Sequence, residues 1–245
     1  MTTAEETLRV VYAWYDNASR GDWQHVPEVA GTEYIRHEPS GTRTVTGEEY
    51  SAEIREAVST RGVLRWEYDA FADGDIAFVT WIARSTGGAV MSSVQAFRVA
   101  GGKLVETWHS GAAPLAWELH PFASDGNPEA SKQLLRRWYE EMYEQRRFAE
   151  LAPQLCGPVF KRHEANGTFE VNAEEHGDRL ATAVAARDAR EGRTRMITGY
   201  RVFADGDRVG VIATSARQGS WVQTWRVEDG KFVESWFAGF AGANW

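Results

Sequence analysis

Two short strings hold the side chains best suited to proton chemistry: YIRHEPSGT at Tyr34 to Thr42 and FKRHEANGT at Phe160 to Thr168. In each, an Arg-His-Glu run lies beside aromatic and aliphatic residues, where a charge is costly unless it has a partner. A glutamate in such surroundings is a candidate acid or base, which singles out Glu38 and Glu164; a turn role for Glu38, paired with Arg36, draws on the same residues. Gln95 and Gln223, in VQAFRV and VQTWRV, are the next candidates. Each shares its strand face with apolar residues, Phe97 and Val99 in the first string, and an inward amide there needs a ligand or a neighbouring acid as partner. His109 has an ordinary pKa of about 6.5 and suits proton transfer near neutrality, or else is a satisfied core histidine. His37 and His163, adjacent to the glutamates, should point to the opposite side of their strands and serve structure.

Other chemistries find little support. Neither His-Glu pair has a second histidine four residues on, so no metal site is expected. Cys156 is the only cysteine, which excludes an internal disulfide and a multi-cysteine metal site. The Gly-Gly pairs sit at hairpins rather than between a strand and a helix, so no phosphate loop is present and no cofactor is implied.

The elements that must position these residues occur twice. Arg36-His37-Glu38 recurs 126 residues on (162 − 36) as Arg162-His163-Glu164, and VQAFRVAGGKLVETW at 94–108 recurs as VQTWRVEDGKFVESW at 222–236. FADGD at 71–75 returns at 203–207, and Trp14-Tyr15 returns as Trp138-Tyr139. Unchanged order with small drifts in spacing indicates one duplicated domain, with a period far too long for a solenoid. Each copy opens with an amphipathic helix, carrying Val11, Trp14, Tyr15 and Ala18 in the first and Leu135, Trp138, Tyr139 and Met142 in the second. A short helix, a brief strand with the Arg-His-Glu run, a helix around 48–58 or 174–187 and an antiparallel meander follow. This order predicts an α+β class, two tandem cone-like domains, each with N-terminal helices packed on a curved antiparallel sheet. The Pro- and Gly-containing stretch after the first meander divides the chain into domain 1 (1–115), a linker (116–128) and domain 2 (129–245).

Composition narrows the partners. With 27 Lys+Arg against 35 Asp+Glu the net charge is −8, which argues against a nucleic-acid surface. No run approaches the roughly 20 apolar residues of a membrane span, and the first residues lack a signal-peptide pattern, so a cytoplasmic protein is expected. The 11 Trp, 11 Phe and 8 Tyr need a core, a pocket or an interface.

The element order, the HEPSG after a short strand and the RVxxGK-hydrophobic-VExW ending resemble the SnoaL-like polyketide cyclases of the nuclear-transport-factor-2-like superfamily, which also includes ketosteroid isomerase and limonene epoxide hydrolase. The resemblance covers nearly the whole chain twice. It implies that Glu38 stands at the isomerases' general base, Gln95 at their oxyanion donor or the cyclases' pocket histidine, and His109 at the cyclases' catalytic aspartate. Phe237 holds that last place in domain 2 and cannot move a proton, so domain 2 is expected to have lost at least that function. Because separate subunits of this family pair through their sheets, the two domains are expected to form a pseudo-dimer within one chain, monomeric or as a homodimer.

Three functions follow. The leading one is a cofactor-free cyclase or isomerase acting on a hydrophobic polyketide-like or polycyclic small molecule, with Glu38, Gln95 and His109 catalytic. Trp14, Tyr15, Glu67, Phe97, Glu164, Gln223 and Phe237 are expected to contact substrate. The second is epoxide opening by paired carboxylates, Glu38 with Glu67. The third is a binding or sequestering module without chemistry.

Overall fold

The structure, a computed structural model, describes residues 2–245. Helix α1 (Ala4–Arg20) starts at a capping box between Thr3 and Glu6 and stops at Gly21, whose φ of 68° is the left-handed conformation glycine tolerates. Its buried stripe includes Val11, Trp14, Tyr15 and Ala18, the helical spacing expected from sequence. The short α2 (Val26–Val29) leads into β1 (Ala30–Glu38), β2 (Gly41–Val45), α3 (Gly47–Arg61) and the meander β3 (Leu64–Asp73), β4 (Ile76–Ser85), β5 (Val90–Ala100) and β6 (Lys103–His109). The second copy repeats the plan. It comprises α4 (Pro128–Arg137), α5 (Phe148–Leu155), β7 (Cys156–Glu164), β8 (Gly167–Asn172), α6 (Ala173–Glu191), β9 (Gly199–Asp205), β10 (Arg208–Ser215), β11 (Gly219–Glu228) and β12 (Lys231–Trp236). Among the described residues, no helix is long and apolar enough to cross a membrane.

Both sheets have six strands in equivalent order, β2-β1-β6-β5-β4-β3 and β8-β7-β12-β11-β10-β9. All neighbours are antiparallel except β1 with β6 and β7 with β12, where the last strand of the meander returns parallel to the Arg-His-Glu strand. The expected sheet is thus antiparallel with one parallel seam. A bulge then sets the facing of β6. Arg98 pairs with Glu106 but Val99 with Leu104, so Val105 is the extra residue. Leu104 therefore joins Phe97 and Val99 in the core, Thr107 bonds inward to Gln95, and Trp108 packs on the other side.

Each sheet buries its inner face beneath its own helices and packs its outer face on the other sheet. Phe71, Phe78, Val94 and Trp108 of the first meet Ile212, Val222 and Trp236 of the second. Gly210 is required there, since a Cβ would lie 2.7 Å from the Phe78 ring. Polar groups cross the same interface: Thr80 and Thr224 hydroxyls are 3.0 Å apart, and Arg208, only 2% exposed, donates to Asp69 at 3.2 Å.

The connection between the copies is anchored on both sides. Ala113 exchanges backbone hydrogen bonds with Ser92, and the Trp117 indole donates to the Glu164 carbonyl at 3.1 Å. Trp245, the corresponding residue after β12, donates to the Glu38 carbonyl at 3.0 Å. We therefore propose the division at 116–128 as an interdomain strap rather than a loose linker.

Arg208 also pairs with Asp207, so Arg208→Ala strands two largely buried carboxylates. It is expected to lower stability in denaturant unfolding by about 3–5 kcal/mol. A loss below about 1 kcal/mol would show that the ion pairs add little to the apolar contacts.

Candidate functional site

In domain 1 the helices and the inner sheet face enclose a cavity of about 510 Å³. Trp14 and Tyr15 reach it from α1, Tyr50 and Glu53 from α3, Glu38 from the end of β1, Trp66 from β3 and Gln95 from β5. The Glu38 carboxylate is held between Arg36 and Arg43, whose Nε lies 3.0 Å away. Arg43 also grips Glu53 with both terminal nitrogens, at 2.5 and 2.6 Å. That grip holds the Glu53 carboxyl below the ordinary carboxylate range, so Glu53 stays ionised. The Arg36 guanidinium lies over the Tyr50 ring at 3.8 Å, an attractive cation–π geometry that completes this wall.

The amide of Gln95 is oriented from both ends. It accepts from the Tyr15 hydroxyl at 3.2 Å and donates to Thr107 Oγ1 at 3.1 Å, which leaves its second N–H without a partner among the described residues. The Trp66 indole N–H is buried without a hydrogen-bond partner among the described residues. The cavity thus combines a fixed carboxylate with two lining residues, Gln95 and Trp66, that each keep an N–H without a partner among the described residues.

Three sequence-proposed residues lie elsewhere. Glu67 is on the other face of β3 from Trp66; its side chain is 61% exposed and bonds to Arg84 at 3.1 Å. Strand alternation excludes it from this cavity. Phe97 is fully buried in the core, edge-on to the Tyr15 ring, and does not line the cavity. His109 faces the same interior but lies outside the cavity lining, stacked on Trp81 with Nε2 3.1 Å from the Ser93 hydroxyl. Burial pushes its pKa down to about 4 against the pull of Glu38. It is therefore neutral near pH 7 and cannot act there as an imidazolium proton donor. His37 points away from the cavity, bonded to Glu106 and stacked on Trp108.

Domain 2 holds a smaller cavity of about 300 Å³, lined by Glu164, Gln223 and Phe237 together with Arg162 and His176. His176 went unrecognised in the sequence. Its signal was its place on the apolar stripe of α6 with Ala173, Leu180 and Val184, where the first copy has Tyr50. Gly177 lets α6 approach α5 closely, since a Cβ would lie 2.7 Å from the Phe148 carbonyl.

A candidate cation cluster lies elsewhere. Glu118, His120 and Glu234 bring ligand atoms within 4.8 Å of one another. Lys161 already neutralises Glu118, and His163 and Arg226 hold Glu234, so the acidic donors are engaged.

Residues 11–107 match the family model described as the SnoaL-like domain. The first copy is thus similar to a SnoaL-like domain over most of its length. The second copy repeats its strand order and element order, which makes the chain a tandem duplication of one α+β architecture. Among solved structures, a protein provisionally described as a polyketide cyclase from Acidithiobacillus ferrooxidans is 18% identical, covering 44% of this chain and 89% of its own, with a TM-score of 0.40. One provisionally described as a ketosteroid isomerase from Kribbella flavida is 18% identical, with coverages of 49% and 87% and a TM-score of 0.40. An NTF2-like protein of unknown function from Mesorhizobium loti is 19% identical, with coverages of 45% and 100% and a TM-score of 0.38. No curated protein matches the chain.

The buried histidines of the two domains make stability pH-dependent. Burial depresses the folded-state pKa of His109 to about 4 and of His176 to about 3, from an ordinary 6.5. Below about pH 6.5 the unfolded chain therefore binds more protons, and native stability falls as pH drops toward 4. Each group contributes a slope of at most about 1.4 kcal/mol per pH unit. The double variant His109→Phe/His176→Tyr, which takes each residue from the other copy, should flatten this dependence in denaturant titrations at several pH values. An unchanged slope would mean that neither imidazole is held neutral by folding.

Proposed function

We propose that domain 1 is a cofactor-free acid–base enzyme, a cyclase or isomerase acting on a polyketide-like or polycyclic carbonyl compound, with Glu38 as general base. One observation carries this reading: the Glu38 carboxylate is fixed by two arginines at the wall of an aromatic cavity lined also by Gln95 and Trp66, each with an N–H that has no partner among the described residues. A carboxylate so placed can take a proton from carbon next to a carbonyl. The free N–H of Gln95 and the Trp66 indole can then stabilise the oxyanion that develops, an interaction strongest in a site shielded from water. Tyr15 and Thr107 serve by orienting Gln95, and His109 by supporting Trp81 and Ser93. The reading carries with it a cytoplasmic protein whose fused domains act as a monomeric pseudo-dimer.

Epoxide opening is less well supported. It needs a carboxylic acid to protonate the epoxide oxygen, yet Glu67 lies outside the cavity and Arg43 keeps Glu53 ionised.

The test is α-proton exchange of 2-tetralone, a planar bicyclic ketone, followed by NMR in D₂O. The protein should accelerate exchange over buffer, and Glu38→Gln should reduce the acceleration by about 10²–10⁴-fold while leaving tetralone binding within a few-fold. Trp66→Phe should cost about 10²-fold through loss of one oxyanion donor. Tight tetralone binding without exchange would favour the sequestering role, and full exchange by Glu38→Gln would show that Glu38 is not the base.

Trp245 gives a second test, because its indole anchors the carbonyl of Glu38 from the other domain. Trp245→Phe keeps the ring and removes the donor. It should lower kcat for exchange about tenfold with KM little changed, equivalent to roughly 1.4 kcal/mol. An unchanged kcat would show that the Arg36 and Arg43 contacts alone position the base.

A further inference from the structure

Beyond Trp117 the interdomain strap fills an outer groove between the two domains. The Glu118 carbonyl accepts from the Trp236 indole at 2.9 Å, and the carbonyls of His120 and Pro121 accept from Arg208. The Phe122 N–H donates to Asp69 at 3.0 Å. Two side chains of the strap join in: Glu118 bonds to Lys161 at 2.8 Å, and His120 Nε2 lies 3.4 Å from Glu234. At the far end the Phe122 ring covers the hairpin between β9 and β10, where a Cβ on Gly206 would lie 2.7 Å from it.

The duplication creates a second groove of the same build on the other side of the interface, and this one is open. Trp245 matches Trp117, each held at its backbone N–H by a serine, and His37, Glu106 and Trp108 match His163, Glu234 and Trp236. With Tyr200 and Arg201 of domain 2 they line a groove of about 270 Å³. The groups that would grip a strap there lack partners. Trp108 is only 2% exposed, yet its indole N–H has no hydrogen-bond partner among the described residues and is not sealed from solvent. The Arg201 guanidinium lies 4.7 Å over the Trp108 ring and pairs with no carboxylate among the described residues. At Gly74, which matches Gly206, a Cβ would meet nothing within 4 Å. Two donors aimed at one groove, with carbonyls filling the equivalent place in its twin, call for an occupant that brings acceptors.

We propose that the groove over Trp108 binds an extended peptide of a partner protein, laid as residues 118–122 are laid over Trp236, with an apolar residue first, histidine third and an acidic residue fifth. Each position follows from what differs between the grooves. Lys161, the partner of Glu118, has Ile35 in its place beside Glu106, so the first residue is apolar. Glu106 keeps the place of Glu234, so histidine is retained. Asp69, two residues before the first FADGD hairpin, has Arg201 in its place before the second, so the fifth residue supplies a carboxylate to the guanidinium. The inference does not depend on the chemistry assigned to domain 1.

The experiment is NMR titration of the full chain, isotope-labelled at tryptophan, with the acetylated and amidated peptide Leu-Leu-His-Pro-Glu, and with Glu-Leu-His-Pro-Phe, the strap's own sequence, as comparison. The Trp108 indole signal, assigned by its loss in Trp108→Phe, should shift saturably with a Kd below about 1 mM. The comparison peptide should bind at least about fivefold more weakly. Arg201 is exposed, so Arg201→Asp is expected to fold normally, and it should reverse the preference in favour of Leu-Leu-His-Pro-Lys. That reversal, read on whichever indole signal shifts, decides the matter even where Trp108→Phe does not fold. The proposal is overturned if the glutamate peptide does not bind, if the two peptides bind equally, or if Arg201→Asp leaves the preference unchanged. Concentration-dependent dimerisation in sedimentation that Arg201→Asp abolishes would assign the groove to a second copy of the chain and overturn it as well.

Discussion

Burial of one sheet's outer face against the other's is the constraint on which the rest of the molecule depends. Each sheet carries large apolar residues on both faces, and its own helices can cover only one. Burying one such side chain is worth about 1.5–3 kcal/mol. A handful of them outweighs the Arg208–Asp69 pair, whose attraction is largely offset by desolvation. The fused second copy therefore acts as the missing cover, and Gly210 is the concession that lets Phe78 seat fully. With the outer faces closed against each other, the inner faces are left to line the two cavities beneath the helices.

The same interface ties the cavities to each other. After its last strand each copy sends a tryptophan across to the partner domain, Trp117 to the carbonyl of Glu164 and Trp245 to that of Glu38. In both straps the tryptophan backbone N–H is held by a serine hydroxyl, Ser92 or Ser220. Each candidate carboxylate thus sits at a strand end anchored by the other domain. Within that symmetric frame the cavities have diverged through a few exchanges: Arg43 for Phe169, Tyr50 for His176, Glu53 for Arg179 and His109 for Phe237. Two arginines and two carboxylates mark the first cavity; a single Arg162–Glu164 pair among aromatic rings marks the second.

The duplication, the helices and most strands were legible because helical stripes and strand alternation are local properties, and long matches such as VQAFRV and VQTWRV carry register with them. The short strands β2 and β8 were not, because GTRTV carries one apolar residue and GTFEVN two, too few for a strand pattern, and both are defined by pairing at the sheet edge. That omission hid Arg43, and with it the role of Glu53. Glu38 and Gln95 were readable since each is a polar residue in an apolar context. Glu67 was misjudged because proximity on the next strand says nothing about which face a residue occupies. His109 was misjudged because inward facing does not guarantee exposure to the cavity, and Trp81 stacks on its ring. His176 required seeing a polar residue on an otherwise apolar helical stripe.

The most direct test of the central claim, that the domain 1 cavity binds a planar enolic molecule between Glu38 and the free N–H donors, is a crystal structure with 2-naphthol, a stable analogue of the enol of 2-tetralone. The account predicts its oxygen within hydrogen-bond reach of Gln95 Nε2 and Trp66 Nε1, its rings beside Tyr15 and Trp66, and the Glu38 carboxylate against the ring edge. Naphthol bound only in domain 2, or in domain 1 with its oxygen turned away from both donors, would contradict it.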